Sequence, residues 1–330
     1  MINNSVINQG GVQRSYSVSL IRLISLLMII TCHIFQYLGN ELAWWFNVGV
    51  QIFLCISGYL YGQKATGDIK VFYTRRFAKI LVPFFVVLVP VLLLNLATGN
   101  VGLVQALSAF LMHNTISGGG HLWFVPTILI CYVATPILES FYQGLNKKQY
   151  IVTTIIAVEI AAVFFYGFAD FYSGAWIGCY IIGYALGVNE KNKWMSKTAM
   201  VITFGVLTSL NFVQIYFDYY QTVHLAGIIK KIYDIVSDYN HVWLGVFLFL
   251  IMKAIFDKLQ LSTVLKKILG IADKYSYETY LVHQFLILGP FTLMALTPNL
   301  AINTFIVLIG IGLLAWLVKQ IEMVIMKTIA

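Results

Sequence analysis

The sequence predicts an all-α fold, a polytopic transmembrane bundle of about ten helices with both termini on the cytoplasmic side. Three observations predict it. Of 330 residues, 60% are hydrophobic and only 10% charged, at a mean hydropathy of +0.83, so polar groups are too few to cover a water-facing surface. Apolar runs of about 20 residues, the length that crosses a bilayer, recur along the whole chain. The basic residues collect in alternate connecting segments.

Taken in order, the spans fall near 19–38, 44–62, 77–97, 120–138, 150–168, 172–189, 199–217, 241–257, 276–295 and 300–323. A further apolar stretch at 101–113 lies along the outer surface or folds back in. Residues 1–16 form a polar cytosolic tail with little cationic character, and no small-residue cleavage site follows the first span, which predicts a retained helix instead of a signal peptide. Residues 1–330 form a single integral-membrane domain with no appended soluble domain. Cys32, Cys55, Cys131 and Cys179 all fall inside apolar segments without metal-ligand spacing, as buried thiols do, and no metal is expected.

Charge sets the orientation. With a cytoplasmic N-terminus, the inner segments hold Arg14; Lys64, Lys70, Arg75, Arg76 and Lys79; Lys147 and Lys148; Lys191, Lys193 and Lys197; Lys253, Lys258, Lys266, Lys267 and Lys274; Lys319 and Lys327. Of the 21 basic residues only Arg22, at the edge of the first span, and Lys230 and Lys231 stand elsewhere. This asymmetry accounts for most of the net charge of +8 without a nucleic-acid partner. The bilayer is the expected partner, and a bacterial plasma membrane the expected location.

Two outer segments stand out. Segment 98–119 is uncharged and runs into Ser117-Gly118-Gly119-Gly120, a flexible hinge by composition. Segment 218–240 is rich in tyrosine, including Tyr219, Tyr220, Tyr233 and Tyr239, which suits either a sugar or a membrane interface.

Ionisable groups inside spans are candidate functional sites, because each costs about 2.5–3.5 kcal/mol to insert. Arg22 and His33 stand eleven residues apart in the first span. They share a face to within about 20° and are separated by about 16 Å of helical rise. Either the pair is functional, or Arg22 snorkels to headgroups while His33 makes an interhelical hydrogen bond. Arg75, Arg76 and Lys79, followed by Pro83, open the third span at the cytosolic surface. They bind lipid phosphate and fix topology, or they hold the phosphates of a soluble cofactor. His283 lies about a third of the way into the ninth span, and Glu278, five residues earlier, does not share its face closely. His121 and His241 open spans at the outer surface, while His113 and His224 sit in outer loops, where solvation is the plain expectation. Glu159 is a lone carboxylate in the fifth span. No P-loop, dinucleotide fingerprint or HExxH occurs.

Five segments together resemble the acyltransferase 3 family of membrane acyltransferases. They are Arg22 to His33 with ten residues between; GVQIFLCISGYLYG in the second span; FYTRRFAKILVPF at the third; HLWFVPTILICYVATPIL at the fourth; and YSYETYLVH in the ninth. Their order and spacing cover residues 17–290. Two positions depart from the family pattern. Phe53-Leu54 replaces a paired aromatic, and Lys79, a point charge instead of a planar fork, stands where arginine is common.

The resemblance implies transfer of an acyl group, usually acetyl, from cytosolic acyl-CoA to a hydroxyl of a cell-envelope sugar or lipid-linked sugar. Acetyl-CoA is then the donor substrate. Arg75, Arg76 and Lys79, with Arg22, hold the CoA phosphates, and the thioester lies near His33, the general base or a transient acyl carrier. Ser57, Tyr59, His121, Trp123, Glu278 and His283 shape the site as second-tier candidates. The acceptor meets the acyl group within the membrane or at its outer side. Some relatives carry an extracellular hydrolase-like domain that completes the transfer, a step that here needs another protein or does not occur. A transporter or flippase of a lipid-linked sugar is the main rival, and a glycan polymerase a second; consumption of acyl-CoA separates them.

Overall fold

The computed structural model describes residues 5–7, 13–164, 174–189, 196–220 and 227–329. Lys191, Lys193 and His224 lie outside the described residues. Among the described residues the regular structure is helical apart from a three-residue antiparallel ladder, β1 (Ser5–Ile7) against β2 (Gln13–Ser15). The helices are α1 (Tyr16–Tyr37), α2 (Ala43–Phe46), α3 (Val48–Gly62), α4 (Ile69–Ala97), α5 (Leu103–Phe110), α6 (Phe124–Tyr142), α7 (Lys147–Phe164), α8 (Ile177–Val188), α9 (Lys197–Tyr220), α10 (Gly227–Phe256), α11 (Thr263–Ile287) and α12 (Leu300–Ile329). Short 3₁₀ turns at Gly120–Trp123 and Gly174–Trp176 lead into α6 and α8.

Seven helical segments among the described residues are long and apolar enough to cross a membrane: Tyr16–Tyr37, Ala43–Gly62, Ile69–Ala97, Gly120–Tyr142, Thr198–Tyr219, Gly227–Phe256 and Leu300–Thr328. The sequence predicts ten spans; the difference lies in α7, α8 and α11, and residues 165–168 of the fifth predicted span and 172–173 of the sixth lie outside the described residues. Helix α8 has 12 residues, about 18 Å of rise against a hydrocarbon core of about 30 Å, and eleven of them are buried. It is a helix wrapped in protein. Helix α11 carries Lys266, Lys267, Asp273, Lys274 and Glu278, which lower its hydropathy.

Three boundaries correct the sequence reading. Helix α4 starts at Ile69, where Asp68 caps it by accepting from the Val71 N–H at 2.8 Å, so Arg75, Arg76 and Lys79 sit inside the helix instead of at its opening. Helix α10 starts at Gly227, with Gly227 at φ +59° and Lys230 paired to Asp234 at 2.6 Å. Tyr233, Tyr239 and His241 are therefore helical, and the expected long loop is shorter. Helix α11 occupies 263–287 instead of 276–295; Gly289 at φ +89° and Pro290 end it.

The chain divides into two compact units. The first comprises residues 1–32, 41–65 and 137–273. Its tightest contact is α3 against α8, and both helices carry a Gly-x-x-x-Gly pair, Gly58/Gly62 and Gly183/Gly187. A Cβ on Gly58 would collide with the Tyr180 carbonyl, and one on Gly183 with the Cys55 carbonyl. Backbones meet where no side chain intervenes, which is how helices associate when lipid supplies no hydrophobic drive.

The second unit comprises residues 33–40, 66–136 and 274–330. Here α12 packs on α4, the Tyr73 hydroxyl donates to Val133 O at 3.0 Å, and the Tyr277 hydroxyl donates to Ile80 O at 3.0 Å, so α4 is tied to both α6 and α11. The glycine run expected to be a flexible hinge is a fixed contact. Gly118 at φ +73° lies against Gly289, where a Cβ on Gly289 would come within 2.6 Å of Gly118 Cα. That contact anchors the turn before α6 to the end of α11.

Candidate functional site

In the second unit three histidines from distant parts of the sequence meet. His33 comes from the end of α1, His121 from the 3₁₀ turn before α6, and His283 from the last turns of α11. Their ring centroids lie 5.0 Å (His33–His283), 4.8 Å (His121–His283) and 6.4 Å (His33–His121) apart. All three are buried, at 9%, 3% and 0% exposure. His121 is thus not a solvated interfacial residue.

The hydrogen bonds distinguish the rings. His283 Nδ1 lies 2.6 Å from the Tyr280 carbonyl, an atom that can only accept, so Nδ1 carries the proton. The Nε2 of that neutral ring is a lone pair, and it is buried without a partner among the described residues. His33 Nδ1 lies 2.6 Å from Gln36 Oε1; with Nδ1–H donating there, Nε2 is left as the base. His121 has both nitrogens engaged, Nδ1 at 2.6 Å from Gln284 Oε1 and Nε2 at 2.9 Å from the Leu281 carbonyl. Both of those partners accept, so a neutral His121 ring donates to only one of them; the tautomers of His33 and His283 follow from their partners.

Gln284 links the rings. Its Oε1 also accepts from the His121 backbone N–H at 2.5 Å, and its Nε2 lies 3.4 Å from His33 Nδ1. The Tyr280 hydroxyl donates to the His121 carbonyl at 2.6 Å, and Phe285 packs edge-on to the His121 ring with centroids 5.4 Å apart. Sequence reasoning missed Gln36, Tyr280 and Gln284. The one available signal is an amide, Gln284, within an apolar run directly after His283.

The basic cluster lies in the same unit. Arg75 and Lys79 are exposed, one turn apart on α4, and the Arg76 guanidinium stands 5.8 Å from the Phe72 ring centroid. The Tyr277–Ile80 bond sets that level of α4 beside α11. From Tyr277, six residues carry α11 to His283, about 9 Å of rise.

Each of the other candidates has contacts of its own. Glu278 is 2% exposed and paired to Lys319 at 3.0 Å, which also meets Glu322 at 2.8 Å, so it belongs to a carboxylate–lysine group between α11 and α12. Trp123 sits two residues beyond His121, its carbonyl accepting from the Thr127 hydroxyl at 3.0 Å. In the first unit, Arg22 Nη1 is paired to Asp273 at 2.6 Å and Ser19 donates to the same carboxylate at 2.5 Å; neither headgroup snorkelling nor a free cation describes it. Ser57 donates back to Phe53 O at 2.9 Å, and Tyr59 is buried between Phe249 and Lys253, each 5.3 Å from its ring. Glu159 accepts from the Tyr239 hydroxyl at 2.9 Å, and His113 is exposed, as expected for an outer loop.

The arrangement offers buried imidazoles, with the Nδ1 protons of His33 and His283 directed at carbonyl oxygens, in a unit whose helix α4 bears exposed cations. A family model described as an acyltransferase domain matches residues 15–319. Neither a curated protein nor a solved structure matches the chain.

Proposed function

Because the chain belongs to the acyltransferase 3 family and is a multi-pass membrane acyltransferase, we propose that it moves an acetyl group from cytosolic acetyl-CoA to a hydroxyl of a cell-envelope sugar. The observation that carries this reading is the convergence of His33, His121 and His283 in the unit that also carries Arg75, Arg76 and Lys79.

His33 Nε2 takes the proton of the acceptor hydroxyl while Gln36 holds Nδ1–H, and the oxygen attacks the thioester carbonyl. The tetrahedral adduct collapses with cleavage of the C–S bond, and the imidazolium returns the proton to the thiolate. Ester and CoA thiol are the products, with no net proton change. Arg75, Arg76 and Lys79 bind the phosphates of CoA, and Arg22 serves the α1–α11 contact through Asp273. The donor enters from the cytosolic face and the acceptor from within the membrane or its outer side. Buried histidines also serve as proton relays in transporters, so consumption of acetyl-CoA is what separates this reading from transport of a lipid-linked sugar.

Cells making wild-type protein should carry O-acetylated glycan, seen by NMR, that is absent from cells lacking the protein. His33→Ala should insert and fold yet lower acetylation at least about 100-fold, the scale of general-base catalysis. Glycan acetylated normally by His33→Ala removes His33 from the chemistry, and purified protein that never consumes acetyl-CoA points to transport.

A further inference from the structure

The first unit contains a second buried polar group that the acyl chemistry does not use. His241, near the midpoint of α10, is fully buried, with the Trp44 ring 4.2 Å away and the Trp176 ring stacked at 6.5 Å and 16°. Its Nε2 lies 2.8 Å from Asn211 Nδ2 of α9, itself fully buried. One turn on from His241, Gly245 abuts Gln51 of α3, where a Cβ on the glycine would collide with that of Gln51. Gln51 of α3 stands seven residues after Trp44 of α2, and Asn47 between the two helices keeps helical angles of φ −57° and ψ −23°, which carries both side chains to about the same side.

Five buried atoms of this group have no hydrogen-bond partner among the described residues: Trp44 Nε1, both amide atoms of Gln51, Asn211 Oδ1 and His241 Nδ1. Turning the Asn211 amide over does not help, since one ring nitrogen and one amide atom stay unmet either way. Buried polar atoms are satisfied in nearly all structures, and five unmet ones in one place would oppose folding on the scale of a domain's whole stability. Inside a bilayer such a group is a functional site by default. The sequence-level expectation for His241, a solvated outer histidine, is corrected by this environment.

We infer that the group around Trp44, Gln51, Asn211 and His241 binds a neutral saccharide, the acceptor glycan, through its hydroxyls. None of these side chains bears a fixed charge, so neither a phosphate nor a cation finds a counter-ion among them. An acyl chain would leave all five atoms unmet. Sugar hydroxyls donate and accept at once, which amides and a neutral imidazole match, and indole supplies an N–H beside an apolar wall. Helices α9 and α10, which hold Asn211 and His241, are also joined by Tyr233, whose hydroxyl donates to Asp218 at 2.8 Å, in the segment whose tyrosines suit a sugar. This inference rests on the proposed glycan acylation.

The test uses the full chain with Asn211→Leu and Gln51→Met, near-isosteres that remove the unmet amides, and Trp44→Phe, which removes the indole N–H. Purified in detergent, each variant should unfold at the wild-type temperature or above, and its KM for acetyl-CoA should stay within twofold. Glycan acetylation in cells should fall at least tenfold. Normal acetylation means that water alone fills the group and overturns the inference. Lowered unfolding temperature in all three variants, with acetylation lost in proportion, overturns it in favour of a structural network. Wild-type protein that acetylates no glycan is a separate result, visible before any variant is made, and overturns the proposed function itself.

Discussion

Gln284 Oε1 lies 2.6 Å from His121 Nδ1, joining α11 to a turn 163 residues earlier in the chain. The Nε2 of the same amide lies 3.4 Å from His33 Nδ1, so one side chain packs against two of the three rings.

Gln284 is therefore a positioning residue. Gln284→Leu leaves the His121 N–H and Nδ1 without their acceptor, at a cost of about 1–3 kcal/mol in stability. We expect kcat to fall about tenfold or more with KM for acyl-CoA unchanged within twofold, as when a group serves only the transition state. Gln284→Glu keeps an oxygen opposite His121 and should recover much of the unfolding temperature. A KM rise with kcat intact would place Gln284 in donor binding instead.

Arg76 and Lys79 differ in chemistry. Removing Arg76 by Arg76→Ala should raise KM for acyl-CoA about 10–100-fold, the loss of a charge-assisted contact, with kcat within twofold. Lys79→Arg installs a planar fork and should lower that KM. Unchanged KM in both variants leaves the cluster with topology alone.

The α3–α8 contact predicts opposite outcomes for one chemical change. Gly183→Ala drives a Cβ into the Cys55 carbonyl and should destabilise by about 1–3 kcal/mol or more. Gly205→Ala on α9, where nothing lies within 4 Å, should stabilise by up to about 1 kcal/mol from helix propensity. Unfolding in detergent, followed by circular dichroism, reads both; equal shifts would dissociate the glycines from packing.

Lys319 pairs with two buried carboxylates, Glu278 and Glu322, and its single positive charge is the cation both of them face. Lys319→Met should destabilise by about 3–5 kcal/mol, because Glu278 and Glu322 are left without their cation. Adding Glu278→Gln removes one stranded charge and should restore most of the loss. A single variant as stable as wild type would show the ion pairs to be dispensable.

The sequence by itself determined that this chain is helical and membrane-embedded, because burial in lipid leaves its mark on every apolar run of about 20 residues. It also carried the family resemblance and named His33, His121, His283 and the α4 cations, since those motifs are local strings. Both Gly-x-x-x-Gly pairs are legible too, but which helices they join is not. Helix ends were misread where capping at Asp68 and breaking at Gly289 and Pro290 outweighed hydropathy. Only tertiary structure decided that His33, His121 and His283 share one buried cluster, that Arg22 is answered by Asp273, and that Glu278 belongs to Lys319 instead of His283. Periodicity reports which face of a helix is apolar; it carries no term for which helix lies opposite. Polar groups at depth find partners through contacts 160 to 254 residues apart, and those are fixed by packing.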